Sequence, residues 1–165
     1  MGINKLSKLP EWNDNFFRDE MDEGEEWKPN PTRDACKAMY EQWGQVMIVL
    51  GGAMESMNTQ TGEDSFTPEH WEDYKGMVMG DAYQVAVKIK SSEAGLYMIR
   101  MENASIIRKN AQFIKSSMLT MMSEKAIEDA HGMVIREEID IFRELFKKWV
   151  STFQRDEYED DWGLF

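Results

Sequence analysis

Two residues near the start of the last quarter of the chain, Glu128 and His131, stand three apart in the run Glu128-Asp129-Ala130-His131. On a helix that spacing puts a carboxylate and an imidazole on one face, where together they could hold a transition metal. A second histidine, His70, lies among Glu69 and Asp73. Acids in that position also serve as ordinary partners of a helix N-terminal dipole. The single cysteine, Cys36, would be a nucleophile only beside a base. One cysteine also excludes an internal disulfide and a cysteine-based zinc site. The chain has no phosphate-cradling glycine loop, no Gly-x-Ser-x-Gly turn and no two-histidine zinc helix.

The Glu-x-x-His spacing resembles that of ferritin-like, carboxylate-bridged di-metal bundles, which would imply Glu128 and His131 as ligands. The resemblance covers four residues. Such a site also uses a second Glu-x-x-His and two further glutamates, but His70 has Thr67 three positions before it. If the last two helices turn near Ser123, Glu102 falls opposite the region of Leu145, far from His131. The other reading of Glu128 and His131 is a surface ion pair, with the histidine at the edge of an apolar stripe. No catalytic residue and no cofactor is expected, and a metal-binding bundle is the alternative to a non-enzymatic one.

The elements that would position these groups are helices. Asn30-Pro31 places a capping side chain before a proline at the first helical position. Cys36, Met39, Tyr40, Trp43, Met47, Leu50, Met54 and Met57 then recur at threes and fours, predicting a helix from Pro31 to about Asn58. Gly51-Gly52 would weaken an exposed helix by roughly 1 kcal/mol per glycine, so close approach of a neighbouring helix is expected there. Thr67-Pro68-Glu69 repeats the start signal. The stripe Trp71, Tyr74, Val78, Ala82, Val85 and Ile89 continues through Leu96, Ile99, Ile106, Phe113 and Met121. Unbroken, this stretch would be a helix about 80 Å long. Ser91-Ser92-Glu93-Ala94-Gly95 is the favoured break, which gives two helices. A last helix from about Ser123 to Arg155 shows Ile127, Val134, Ile135, Ile139, Phe142, Leu145, Phe146, Trp149 and Phe153 on a broad apolar face.

The expected fold class is therefore all-α: an up-down bundle of about four helices over residues 31–155, flanked by acidic, aromatic-containing extensions at 1–30 and 156–165. The 165 residues suffice for one domain, and 42% hydrophobic with 30% charged residues is a globular composition. Most of the fourteen methionines fall at stripe positions, where core filling is expected. No run approaches the length a membrane span needs, and no leader-like apolar stretch opens the sequence, so a cytoplasmic location is expected.

The net charge of −12 resides at the ends. Residues 1–26 carry eight acids and three bases, residues 156–165 carry five acids and no base, and the body between them is nearly balanced. Ends of this kind repel phosphate, so direct binding to a nucleic-acid backbone is not expected. Four large aromatics, Trp12, Phe16, Phe17 and Trp27, interrupt the first acidic stretch. The second reads Asp156-Glu157-Tyr158-Glu159-Asp160-Asp161-Trp162-Gly163-Leu164-Phe165. Its composition resembles that of acidic, Phe-terminated tails that dock into apolar pockets rimmed by basic residues, which would imply Trp162, Leu164 and Phe165 as contacts. A basic protein partner or a second copy is one destination. The chain's own basic residues Arg100, Arg108 and Lys115, which fall on roughly one helical face with Lys88, Lys90 and Lys109 nearby, are another.

Overall fold

A computed structural model describes residues 8–14 and 27–164. Four helices account for nearly all regular structure: α1 (Pro31–Glu55), α2 (Pro68–Lys90), α3 (Tyr97–Ser123) and α4 (Asp129–Ser151), with no strand among the described residues. Two of the starts form as the sequence dictates. The Asn30 side chain accepts the N–H of Arg33, and the Thr67 hydroxyl accepts the N–H of His70, each ahead of a proline. None of the helices is long and apolar enough to cross a membrane.

Each helix packs on the two that flank it, and α4 closes the ring on α1. Side-chain contacts set the directions. The Trp43 indole N–H donates to the Ala82 carbonyl and the Cys36 thiol to that of Ile89, so α1 and α2 are antiparallel. Gln42 on α1 donates to Glu138 on α4, while Thr32 reaches the Thr152 carbonyl. Asn110 donates to Gln84 and Asn103 to Ser92, which pairs α3 with α2.

The core is built from Trp43, Trp71, Trp149 and Phe142 with Ile, Leu and Val, and Met39, Met47, Met54, Met79, Met118, Met121 and Met122 fill the space between them. Unbranched methionine side chains adapt to the irregular gaps that large indoles leave. The seam of α3 is less apolar than the periodicity suggests. Its buried positions include Ile107, Ile114, Met118 and Met121 together with Asn103, Asn110 and Ser117, three polar residues spaced by sevens. Ile99 is exposed and Ile106 and Phe113 only half-buried, so the expected stripe is displaced by about one residue over this stretch, while its last member, Met121, is buried as expected. The α2–α3 connection resets the helical phase there: Ser92 and Glu93 fold into tight turns and Gly95 adopts φ 137°, a backbone that side chains other than hydrogen disfavour.

Three further expectations are corrected. The last helix begins at Asp129, not near Ser123. Ser123 closes α3, and the N–H groups of Lys125 and Ala126 return to the carbonyls of Met122 and Met121 around Lys125 at φ 62°. This is the hydrogen-bond pattern of a left-handed helix cap, with lysine where glycine is usual. The first and last helices are shorter than expected, ending at Glu55 and Ser151. Val134, assigned to the apolar face, is exposed.

Of the Gly51-Gly52 pair, Gly51 is buried in α1 and Gly52 is exposed. A Cβ at Gly52 would meet nothing within 4 Å, whereas one at Gly132 on α4 would lie 2.4 Å from Met122 Sδ and 2.5 Å from its Cγ. Gly52→Ala should therefore raise stability by about 0.5–1 kcal/mol through helix propensity alone. Gly132→Ala forces the Met122 side chain to move and should therefore gain less than Gly52→Ala. Denaturant midpoints of the two variants check this, and equal stabilisation at both positions would mean that Gly132 and Met122 are not in contact.

Candidate functional site

The densest cluster of charged and aromatic side chains lies at one end of the bundle, where α1 starts, α2 turns into α3 and α4 finishes. Glu93, in the α2–α3 turn, is only 4% exposed. A carboxylate so buried must be compensated. Arg33 from the first turn of α1 approaches one of its oxygens at 3.1 Å and Lys90 the other at 3.0 Å. Arg100, half-buried on α3, donates to the Ser92 and Glu93 carbonyls of the same turn. Burial lowers the Arg100 pKa, against the opposing effects of Cys36 and Asp156.

Both extensions are rooted here. The Lys90 ammonium lies 4.0 Å above the Trp12 ring, an attraction between a cation and the negative face of an indole. Trp12 packs on Tyr40, with centroids 5.6 Å apart, and the Tyr40 hydroxyl donates to the Pro10 carbonyl at 2.7 Å. Burial raises the Tyr40 pKa. Arg33 also donates to the Asp14 carbonyl, and Lys37 pairs with the Asp14 carboxylate at 3.4 Å. From the other extension, Asp156 accepts the N–H of Tyr97 at 2.8 Å, which satisfies a donor at the open N-terminus of α3.

Cys36 sits beneath this cluster, fully buried. Burial first, and the nearby Glu93 charge second, push its thiol pKa up to about 12. It donates to the Ile89 carbonyl at 3.3 Å. A thiol held protonated in this way is a packing element, not a nucleophile.

The residues singled out from sequence are dispersed. Trp12 is committed to its own bundle. Phe16, Phe17 and Phe165 lie outside the described residues. Trp27 is 78% exposed, and at the other end of the chain Trp162 is 94% and Leu164 71% exposed. Asp160 accepts the N–H groups of both Trp162 and Leu164, which folds the tip into a turn of its own.

Arg100, Arg108 and Lys115 do not act as one face. Arg100 turns into the end cluster, while Lys115 pairs with Asp140 of α4. A hydrogen bond from Lys115 lowers the Asp140 pKa, opposed by desolvation and helped by the charges of Lys115, Arg143 and Arg136. Arg108 joins Lys115 and Arg143 around a shallow groove between α3 and α4.

Glu128 and His131 are both exposed, at the opposite end of the bundle from Glu93. Glu128 is the N-cap of α4 in extended conformation, so the pair does not lie on a continuous helical face. The two share a pocket with Asp129, Lys125, Asn58 and Ser56. No group of three or more His, Cys, Asp or Glu side chains able to hold a metal occurs among the described residues. His70 is exposed and stacks on Phe66, with centroids 4.3 Å apart.

Sequence reasoning missed the Arg33–Glu93–Lys90 triad and the Asp156–Tyr97 bond. Arg33 and Glu93 are sixty residues apart and Tyr97 and Asp156 fifty-nine, so no local pattern announces these two pairings, although Lys90 and Glu93 are only three apart. The heptad spacing of Asn103, Asn110 and Ser117 is a signal that the sequence does carry. No protein-family model, no curated protein and no solved structure matches this chain.

Glu93→Ala leaves Arg33 and Lys90 without their carboxylate and should cost about 1–3 kcal/mol in denaturant-unfolding free energy, the usual range for a lost charged hydrogen bond. A cost near zero would mean that the triad is not formed. Cys36 in the folded chain should resist an aromatic disulfide reagent at neutral pH and react fully once the chain is unfolded. Rapid labelling under native conditions would contradict its burial.

Proposed function

We propose that the chain is a non-enzymatic helical bundle that works through protein–protein contacts or self-association, its aromatic-acidic ends serving as the contact elements. The body over 31–155 is the scaffold, and the extensions at 1–30 and 156–165 carry the recognition. A cytoplasmic setting belongs to the same reading.

The observation that carries it is Trp162, 94% exposed beyond a run of five acids that contains no base. Burying an indole removes about 150–250 Å² from water. At about 25 cal/mol per Å² that is a gain of several kcal/mol before the costs of association. Leu164 adds to the apolar tip, while the acids before it steer encounter toward positive surfaces. Recognition of this kind suits an apolar pocket rimmed by lysine and arginine. The acids repel a phosphate backbone, which argues against nucleic acid as the direct partner.

The structural groups at the Glu93 end support the same division of labour. The cations there are engaged with carboxylates, carbonyls or aromatic faces, and the thiol is buried and protonated. Such groups hold the scaffold and leave recognition to the ends.

Trp162→Ala combined with Leu164→Ala should leave the unfolding midpoint unchanged, because neither side chain touches the core. It should also abolish a protein that co-purifies with the wild-type chain, or else reduce the oligomer size. Wild-type behaviour in both co-purification and sedimentation would overturn the reading.

A further inference from the structure

The α3–α4 groove has the features that the tip requires of a receptor. Its floor is apolar: Ile139, Phe142 and Phe146 from α4 and the small Ala111 from α3. Its rim carries Arg108, Lys115 and Arg143. One carboxylate, Asp140, is shared between Lys115 and Arg143, with Glu144 3.9 Å from Arg143. Arg108 makes no ion pair among the described residues, so the rim keeps an excess of positive charge. Residues 156–161 contribute five acids and no base. Apolar floor with cationic rim, and apolar tip with acidic stem, are complementary in both respects.

We propose that this groove receives the Trp162–Leu164 tip of a second copy of the chain, so that two copies exchange tips reciprocally. The inference rests on the contact-element reading above and names its partner.

The tip's exposure argues for a second copy over the chain's own groove. Asp160 has already folded Trp162 and Leu164 into a turn, and the two side chains stand away from their own bundle. Asp156, fixed to the N-terminus of α3, anchors the stem at the end of the bundle, and most of residues 157–164 are exposed. A preformed turn on an anchored stem loses less freedom on docking than a loose tail does. Reciprocal exchange uses the same two patches on both copies, which closes a two-fold dimer and leaves no groove vacant to propagate a chain of molecules. Once one tip is seated, the second docks at high effective concentration.

The test uses the full chain throughout. Sedimentation equilibrium at low ionic strength should give a dimer for the wild type and a monomer for the Trp162→Ala, Leu164→Ala variant and for the Arg108→Glu, Arg143→Glu variant, each with wild-type helicity. A labelled peptide of residues 156–165 should bind the monomeric Trp162→Ala, Leu164→Ala chain, and adding the two charge reversals to that chain should weaken binding at least about tenfold. A wild-type monomer whose groove still binds the peptide would place the tip in its own groove and overturn the exchange. A dimer that survives either pair of substitutions would also overturn it, as would a peptide that ignores the groove or the charge reversals. These failures are distinct from failure of the broader reading, which requires in addition that loss of the tip leaves co-purifying proteins unchanged.

Discussion

Trp43 donates its indole N–H to the Ala82 carbonyl on α2 while its ring packs 4.7 Å from Phe142 on α4, so one side chain sets the register of three helices in a single layer. An indole in that position must be both surrounded by apolar groups and supplied with an acceptor, and few relative placements of the helices satisfy the two demands together. The methionines follow from it: flexible side chains close the spaces that a rigid bicyclic ring leaves in the neighbouring layers. The remaining helix, α3, is placed by a different device. The amide N–H groups of Asn103 and Asn110 on α3 donate to Ser92 and Gln84 on the α2 side, and a shift of one turn would strip them of these acceptors. Polar residues in a seam give up some apolar burial and make alternative registers costly.

The same demand for partners explains why so many chemistry-bearing groups do no chemistry. Glu93 is buried because the α2–α3 turn is drawn under the start of α1, and a buried carboxylate needs Arg33 and Lys90 close by. With Glu93 held, Arg100 can stitch the turn through its carbonyls, and Trp12 has a fixed cation to lie against. Asp156 completes the arrangement by satisfying a donor that α3 leaves open. Both extensions thus begin on one end of the scaffold, and beyond the Asp156 anchor the chain presents Trp162 and Leu164 to solvent. Exposed Trp162 and the cation-rimmed α3–α4 groove are among the features that internal packing leaves unused.

Much of this architecture is legible in the sequence because it obeys local rules. The capping residues Asn30 and Thr67 and the prolines after them act within one turn, and the break at 91–95 follows from serines and a glycine that destabilise a helix wherever it sits. The seam of α1 can be read from Cys36 to Met54, since every member is apolar and the phase is unbroken. The seam of α3 cannot, for two physical reasons. Asn103, Asn110 and Ser117 are buried without being apolar, so a hydrophobic period passes over them, and the turn before α3 resets the phase on which extrapolation from α2 depends. Lys125 misleads in a similar way, since a left-handed lysine gives no glycine signal at the end of α3.

Four helices, the approximate starts of the first three, buried faces rich in methionine and aromatics, and negative charge gathered at the two ends are all consequences of the residue order alone. They follow from propensity, period and composition, which act over a few residues. Packing between helices, in contrast, made Glu93 a buried partner of Arg33, left Glu128 and His131 exposed at a helix cap, and gathered Arg108, Lys115 and Arg143 round one apolar groove. Each of those outcomes depends on which residues distant in the chain meet in space, and no short stretch of sequence carries that information.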